Sequence, residues 1–404
     1  MYRIFVSLHK MIESIGTMKE VLFLSAAAAL SMLFDACNPS TKKLQAGHAA
    51  TATEPDAATV IQARYAKGFS VEYSKEGVRL IDIRDPQNEG EVAYRFALVS
   101  KGMKSVAIPP EYTAINVPIA RCICMTSLQL SNFTVLRAHD FITGITGTKN
   151  LYNRDIHARV NDGRIVKIGM EGNFDAEIIM AANPDVIFIS PFKRGGYEAI
   201  KETGITLIPH LGYKELDPLG QAEWIKFISL FIGKEKEAND VFDGIVARYT
   251  ALKEKAAKVS VRPVVFSGEM HGGNWFAVGG RNYLAKMFED AGADYVMKDN
   301  PSSGGVNMEY EKLYSIAADA DYWRILNSFP GEFSYEALKA SDPRNADFKA
   351  FQKKQVIYCN MQQSPYYEIA PVEPDVVLAD FVYVFHPELL PADYRPTFYK
   401  ILKQ

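Results

Sequence analysis

The period of apolar positions changes along the chain and divides it into regimes. From Phe69 to Ile115 the segments FSVEYS, VRLIDIRD, VAYRFALVS and SVAIPP alternate apolar with polar residues, the period-2 mark of half-buried strands. Turn residues at Lys75-Glu76-Gly77 and Asp85-Pro86-Gln87-Asn88 separate them, so a small antiparallel β-rich extension is expected over 61–115. From Ile115 strand and helix patterns alternate. INVPIARCICM and DVIFIS are near-continuous apolar runs, as strands buried on both faces require; ITLIPH, PVVFSG, YWRILNS and VIYCN also read as strands. Helical stretches such as SLQLSNFTVLRA, YEAIKETG, YLAKMFEDAGADY and YEKLYSIAADA stand between them. Short strands separated by ~10–15-residue helical patterns predict parallel sheets.

Gln221 to Lys258 is helical, with a break at Gly233. Beyond the break Ala238, Phe242, Ile245, Tyr249, Leu252 and Ala256 recur at steps of three and four, with Val241 and Val246 beside them. That is one apolar face of a helix ~36 Å long. The fold class expected is therefore α/β. Two parallel-sheet lobes, 116–233 and 259–404, are bridged by a single long helix over 234–258, with the β-rich extension in front.

The N-terminus carries a different pattern. Met18-Lys19-Glu20 leads into thirteen apolar residues, Val21 to Leu33, and then Phe34-Asp35-Ala36-Cys37. A charged start, a short apolar run and a small residue before the cut describe a secretory signal, and the run is too short for a span of about 20 residues. Met18 is a more typical start than Met1. A Cys after a small residue at this place resembles a bacterial lipobox, relaxed by Asp35, which implies lipidation of Cys37; a plain secretion signal with an incidental Cys is the alternative. Residues 38–60 (NPSTKKLQAGHAATATEPDAATV) have a composition that buries no core and read as a flexible tether. The expectation is an exported, periplasmic protein anchored by lipid to a bacterial membrane.

Composition narrows the function. The 404 residues carry 45 basic and 48 acidic side chains, a net charge of −3, with no Lys/Arg cluster, so no nucleic-acid partner is expected. Four Cys are too few for a disulfide scaffold, and no CxxC is present for a redox or zinc site. The 23 Phe, 21 Tyr and 3 Trp can fill cores or line a site for a large flat ligand. GxSxG, HExxH, GxxxxGK[ST] and GxGxxG are all missing. Gly279-Gly280-Arg281-Asn282 reads as a loop and helix cap, so no enzyme activity and no resident cofactor or metal are expected.

Three pieces carry a resemblance: NFDAEIIMAANPDVIFIS (173–190), NYLAKMFEDAGADY (282–295) and EKLYSIAADADYW (311–323). In their order and spacing, over roughly 116–386, they resemble the periplasmic binding proteins that serve iron-siderophore, haem and cobalamin ABC importers. The resemblance implies two lobes joined by one rigid helix, a metal chelate bound between them, and a monomer that delivers it to ABC permease and ATPase subunits. It also implies one exposed glutamate per lobe that pairs with permease arginines. These fall on Glu177 and Glu311, with Asp175 and Glu309 close by. Acidic residues in a first helical turn also complement the helix dipole with no partner at all.

In parallel sheets ligands gather at the carboxyl ends of the strands. That rule marks Thr126 and Ser127, then Ser190, Phe192, Lys193 and Arg194, then His210, Tyr213 and Lys214 in the first lobe. In the second it marks Glu269, Met270, His271, Asn274 and Trp275, then Asn327 and Ser328, then Asn360, Met361, Tyr366 and Tyr367. Lys193-Arg194 beside Phe192 would suit an anionic chelate. His271 and His210 would approach one cleft from opposite lobes and ligate haem iron; as isolated histidines they would simply hydrogen-bond. The cargo expected is a ferric siderophore or haem, with a corrinoid as the alternative within the same family. A non-transporting surface lipoprotein is the alternative outside it.

Overall fold

In the computed structural model, which describes residues 59–403 apart from 89–90, 104–105, 148–150, 171–172 and 192–196, the alternating N-terminal segments form a four-stranded sheet. Its order is Phe69–Tyr73, Arg79–Arg84, Val92–Ser100, Thr113–Val117. The first three strands pair antiparallel and the fourth joins parallel. One face buries Ile81, Ile83, Phe96, Leu98, Ile115 and Val117, as the period-2 pattern requires. The run INVPIARCICM, read as one strand, is two. Thr113–Val117 completes the extension, and after Pro118 the chain re-enters strand at Cys122–Cys124 in the first lobe. A proline has no N–H for a sheet ladder, so the pairing stops there. The leader, Cys37 and residues 38–58 lie outside the described residues, as do Phe192, Lys193 and Arg194.

The extension is fastened to the first lobe by two buried carboxylates. Glu223 Oε2 accepts the backbone N–H groups of Arg64, Tyr65 and Ala66 at 2.9, 2.7 and 2.9 Å. Glu215 accepts those of Lys67 and Gly68, at 3.0 and 2.8 Å, and the Trp224 indole at 3.0 Å. Phe69 packs edge-on against Trp224 with ring centres 5.2 Å apart.

The first lobe is a parallel sheet in the order Thr206–Pro209, Val186–Ile189, Cys122–Cys124, Ile142–Ile145, Val166–Lys167. Every residue of its two inner apolar runs, Cys122–Cys124 and Val186–Ile189, is buried, because helices or sheet cover both faces. Helix Trp224–Ile232 ends at Gly233, whose φ of 68° is a left-handed cap. The bridging helix Glu235–Ala256 follows, about 33 Å long at 1.5 Å per residue. Its buried stripe is Ala238, Phe242, Ile245, Tyr249, Leu252 and Ala256. Tyr249 Oη donates to Asp290 at 2.8 Å and Arg248 Nε to Asp375 at 2.6 Å, which ties the helix to the second lobe.

The second lobe repeats the plan: Asp294–Tyr295, Val264–Ser267, Tyr322–Asn327 and Val356–Asn360 run parallel, and Lys400–Ile401 closes the edge antiparallel. Gly268 to Trp275, marked as ligand residues following a strand end, is a β-hairpin of Glu269–His271 and Asn274–Val278, joined by Gly305–Met308 in a three-stranded sheet. Gly272 and Gly273, with φ of 58° and 86°, supply the left-handed pair that a two-residue hairpin turn requires. Among the described residues no helix is long and apolar enough to cross a membrane.

Candidate functional site: the interlobe cleft

A cavity of about 380 Å³ lies between the lobes. Thr126, Ser127, Ser190 and Tyr213 line it from the first lobe, and Tyr283, Met287, Tyr366 and Tyr367 from the second. The first wall is a row of hydroxyls held by one amide. Gln129 Oε1 accepts from Thr126 N and Oγ1 at 2.7 and 2.9 Å, and Gln129 Nε2 donates to Ser190 Oγ at 2.6 Å. Tyr213 Oη donates to the Pro191 carbonyl at 2.7 Å; burial, then the Asp85 carboxylate, push this phenol up to about 12.

The second wall is a set of phenols backed by a buried cation. Arg324 sits in Tyr322–Asn327, a strand otherwise of apolar or edge residues, and is only 7% exposed. Its Nε donates to Tyr399 Oη at 3.0 Å, its Nη2 bonds the same oxygen, and its guanidinium lies over the Tyr399 ring. Tyr399 Oη donates on to Tyr366 Oη at 3.3 Å, and the Tyr283 phenol lies beside that of Tyr366. Among the described residues no carboxylate lies within ion-pair distance of Arg324. The acidic neighbour that feels its charge, Glu269, is bonded instead to Asn327 Nδ2 at 2.9 Å. Burial raises the Tyr366 and Tyr399 phenols, and the neighbouring Tyr366 oxygen, then burial, raises Tyr283. All three therefore stay protonated and able to donate. The arrangement is an aromatic pocket whose far wall presents O–H donors polarised by a positive charge, suited to an anionic oxygen ligand.

Of the sequence-chosen ligand residues, Thr126, Ser127, Ser190, Tyr213, Tyr366 and Tyr367 line this cleft. Others lie elsewhere. His210 is fully buried against Trp224, ring centres 4.6 Å apart, and burial lowers its pKa to about 3. It belongs to the first-lobe core. Trp275 is equally buried, stacked into Phe266, Trp323 and Phe348, with its indole donating to Ser267 O at 3.0 Å. Met270 and His271 stand on the hairpin strand Glu269–His271, His271 exposed at its turn. The two histidines are thus not brought to one cleft. Asn360 caps a turn, donating to Phe329 O at 2.8 Å and accepting from Gln362 N at 2.9 Å. Tyr283, Met287 and Arg324 were not singled out from the sequence. The one available signal was a charged residue inside the apolar strand YWRILN.

Glu177 is exposed in the first turn of helix Ala176–Ala182, N-capped by Asp175, and the same stretch exposes Ile178 and Met180. Glu311 is exposed in the first turn of Tyr310–Ala317 and pairs with Arg344 at 3.3 Å.

Comparison with known proteins places this architecture. A periplasmic binding protein family model matches residues 123–363. An uncharacterized lipoprotein of Methanocaldococcus jannaschii is 26% identical over 355 residues, covering 80% of this chain and 82% of that one. The TroA-like periplasmic binding protein FepB from Veillonella parvula superposes with a TM-score of 0.52 at 20% identity, over 71% of this chain and 95% of its own. A periplasmic heme binding protein from Pseudomonas aeruginosa gives 0.54 at 16% identity, over 71% and 99%. At these identities the structural likenesses establish the fold alone. With the family model spanning well over half of its length, the chain belongs to the periplasmic binding protein family.

Proposed function

We propose that this protein captures an anionic ferric chelate, a siderophore complex or haem, in the interlobe cleft and hands it to an ABC permease, with Cys37 lipidated to hold it at the membrane. The observation that carries the reading is Arg324: a buried guanidinium with no carboxylate partner among the described residues, projecting its charge through Tyr399 and Tyr366 to the cleft wall. A buried charge left without a counter-ion costs several kcal/mol; an anionic ligand supplies the counter-ion. The cleft volume of about 380 Å³ is toward the lower end of ligand pockets, about 300–1,000 Å³, so a compact chelate fits the closed form and a larger one requires the lobes to part. The cited solved relatives include a heme binding protein, in keeping with this class of cargo.

Permease docking is assigned to Glu177 and Glu311. Both are exposed carboxylates on first helical turns, one per lobe, of the kind that receives guanidinium groups bidentately. The Glu311–Arg344 contact is an exposed pair, worth about 0–1 kcal/mol, and is readily exchanged for a partner's arginine.

Quenching of intrinsic fluorescence with haemin, two anionic ferric siderophores and cobalamin tests the reading. Saturable one-to-one binding of an anionic ferric chelate is expected. Preference for cobalamin would replace it with a corrinoid carrier, and silence across the panel would favour a non-transporting surface lipoprotein.

A further inference from the structure

Two polar clasps join the lobes beside the cleft, and each is contributed by a segment outside the stretch 123–363 that matches the family model. The first is Gln87, in the turn that follows Arg79–Arg84 of the extension. Its Nε2 donates to Lys214 O on the first lobe at 3.2 Å, and its Oε1 accepts from Ser303 Oγ on the second at 3.0 Å. The turn is held from both sides: Asp85 accepts from Lys214 Nζ at 2.5 Å and from Gln87 N at 3.0 Å. Because Glu215 and Glu223 fasten the extension to the first lobe, the Gln87–Ser303 bond is an interlobe bond. The second clasp is Glu368, buried in Tyr366–Ile369 of the second lobe. Its two carboxylate oxygens accept Tyr152 N and Asn153 N of the first lobe at 2.5 and 2.9 Å.

Both clasps abut the ligand walls. Lys214 follows Tyr213, and Ser303 O accepts from Asn282 Nδ2 at 2.7 Å, the residue that caps the helix beginning at Tyr283. Glu368 directly follows Tyr366 and Tyr367. The lobes also meet where helix Tyr366–Ile369 packs on Ser127–Val135 and where Pro218–Ala222 packs on Tyr283–Asp290, so parting them breaks these two polar bonds together with that packing.

We propose that Glu368 and Gln87 are latch residues: they hold the cleft closed and set the rate of ligand exchange without touching ligand. The inference rests on the interlobe cleft being the ligand site, and the test separates the two. Amide exchange is followed in the ligand-free full chain at Tyr152 and Asn153, which report opening. Gln87→Ala, which contacts neither amide, is expected to speed exchange at both by about twofold to tenfold, the worth of one neutral hydrogen bond. Ser303→Ala should do the same from the other side of that bond, and covers the case in which Gln87→Ala misfolds. Glu368→Gln keeps one acceptor oxygen and should raise both association and dissociation rates of haemin in stopped flow, with the dissociation constant changing far less than either rate. Faster exchange with no haemin binding upholds the latch and overturns haem as cargo. Unchanged exchange at Tyr152 and Asn153 in both Gln87→Ala and Ser303→Ala overturns the latch and leaves the cargo reading standing.

Discussion

Replacing Arg324 with methionine separates a stabilising role for the buried guanidinium from a ligand-binding one. The side chain is 7% exposed, and its hydrogen-bonding partner is the neutral Tyr399 phenol. Desolvating a charge costs several kcal/mol, and hydrogen bonds to neutral groups offset only part of that. Methionine has similar length and no charge. The ligand-free Arg324→Met protein is therefore expected to be as stable as the parent or more so, by up to about 1–4 kcal/mol, the range seen when buried ions give way to apolar residues. Affinity moves oppositely. Truncating one partner of a buried charge pair costs about 2–5 kcal/mol, which is about 30-fold to several-thousand-fold in dissociation constant. Urea denaturation of the ligand-free protein gives the first quantity, and calorimetric titration with the ferric chelate chosen by fluorescence gives the second. A variant destabilised by more than about 2 kcal/mol with unchanged affinity for an anionic chelate would refute the argument and make Arg324 a structural brace.

Charge reversal at both Glu177 and Glu311 should abolish chelate uptake in cells while leaving affinity for the isolated protein intact; uptake that survives the double reversal removes the docking assignment. His210 should stay neutral through the physiological range. Its folded pKa, about 3, lies below the ordinary 6.5, so its contribution is complete above pH 6.5 and is lost as pH falls toward 3, at about 1.4 kcal/mol per pH unit; an imidazole resonance that titrates near pH 6 and disappears in His210→Gln would contradict this. Glu223→Gln should destabilise the protein by about 3–5 kcal/mol, because it leaves the buried Lys226 ammonium, 3.0 Å away, without its counter-charge. Proteolysis at Arg64 should accelerate in that variant, and unchanged cleavage would mean that Glu215 and the apolar face hold the extension without Glu223.

The lobes and their bridge were legible in the sequence because burial on two faces and burial on one stripe leave different periods. Val186–Ile189 and the Ala238-to-Ala256 stripe lie where those periods put them. The rule that ligands meet at strand ends marks Thr126, Ser127, Ser190, Tyr213, Tyr366 and Tyr367, all of which line the cleft, since loops after parallel strands converge whatever their composition. It failed for Trp275 and His210, because residue type says nothing of facing. Trp275 pairs with Met308 across an inserted hairpin sheet whose alternation turns both inward, and His210 packs against Trp224 and Phe227. Tyr283 lies at a helix start rather than a strand end, and Arg324 acts through two tyrosines distant in sequence, so neither follows from a local pattern. The Glu368 and Gln87 clasps are tertiary pairings across more than 200 residues, beyond any reading of spacing.

The most direct test of the central claim is iron-edge anomalous diffraction from crystals grown with the anionic ferric chelate that binds most tightly. A single iron peak is expected inside the interlobe cleft, between the Thr126–Ser127 wall and the Tyr283–Tyr366 wall, with ligand oxygens facing the phenols in front of Arg324. Iron bound on the outer surface of either lobe, with the cleft empty, would contradict it.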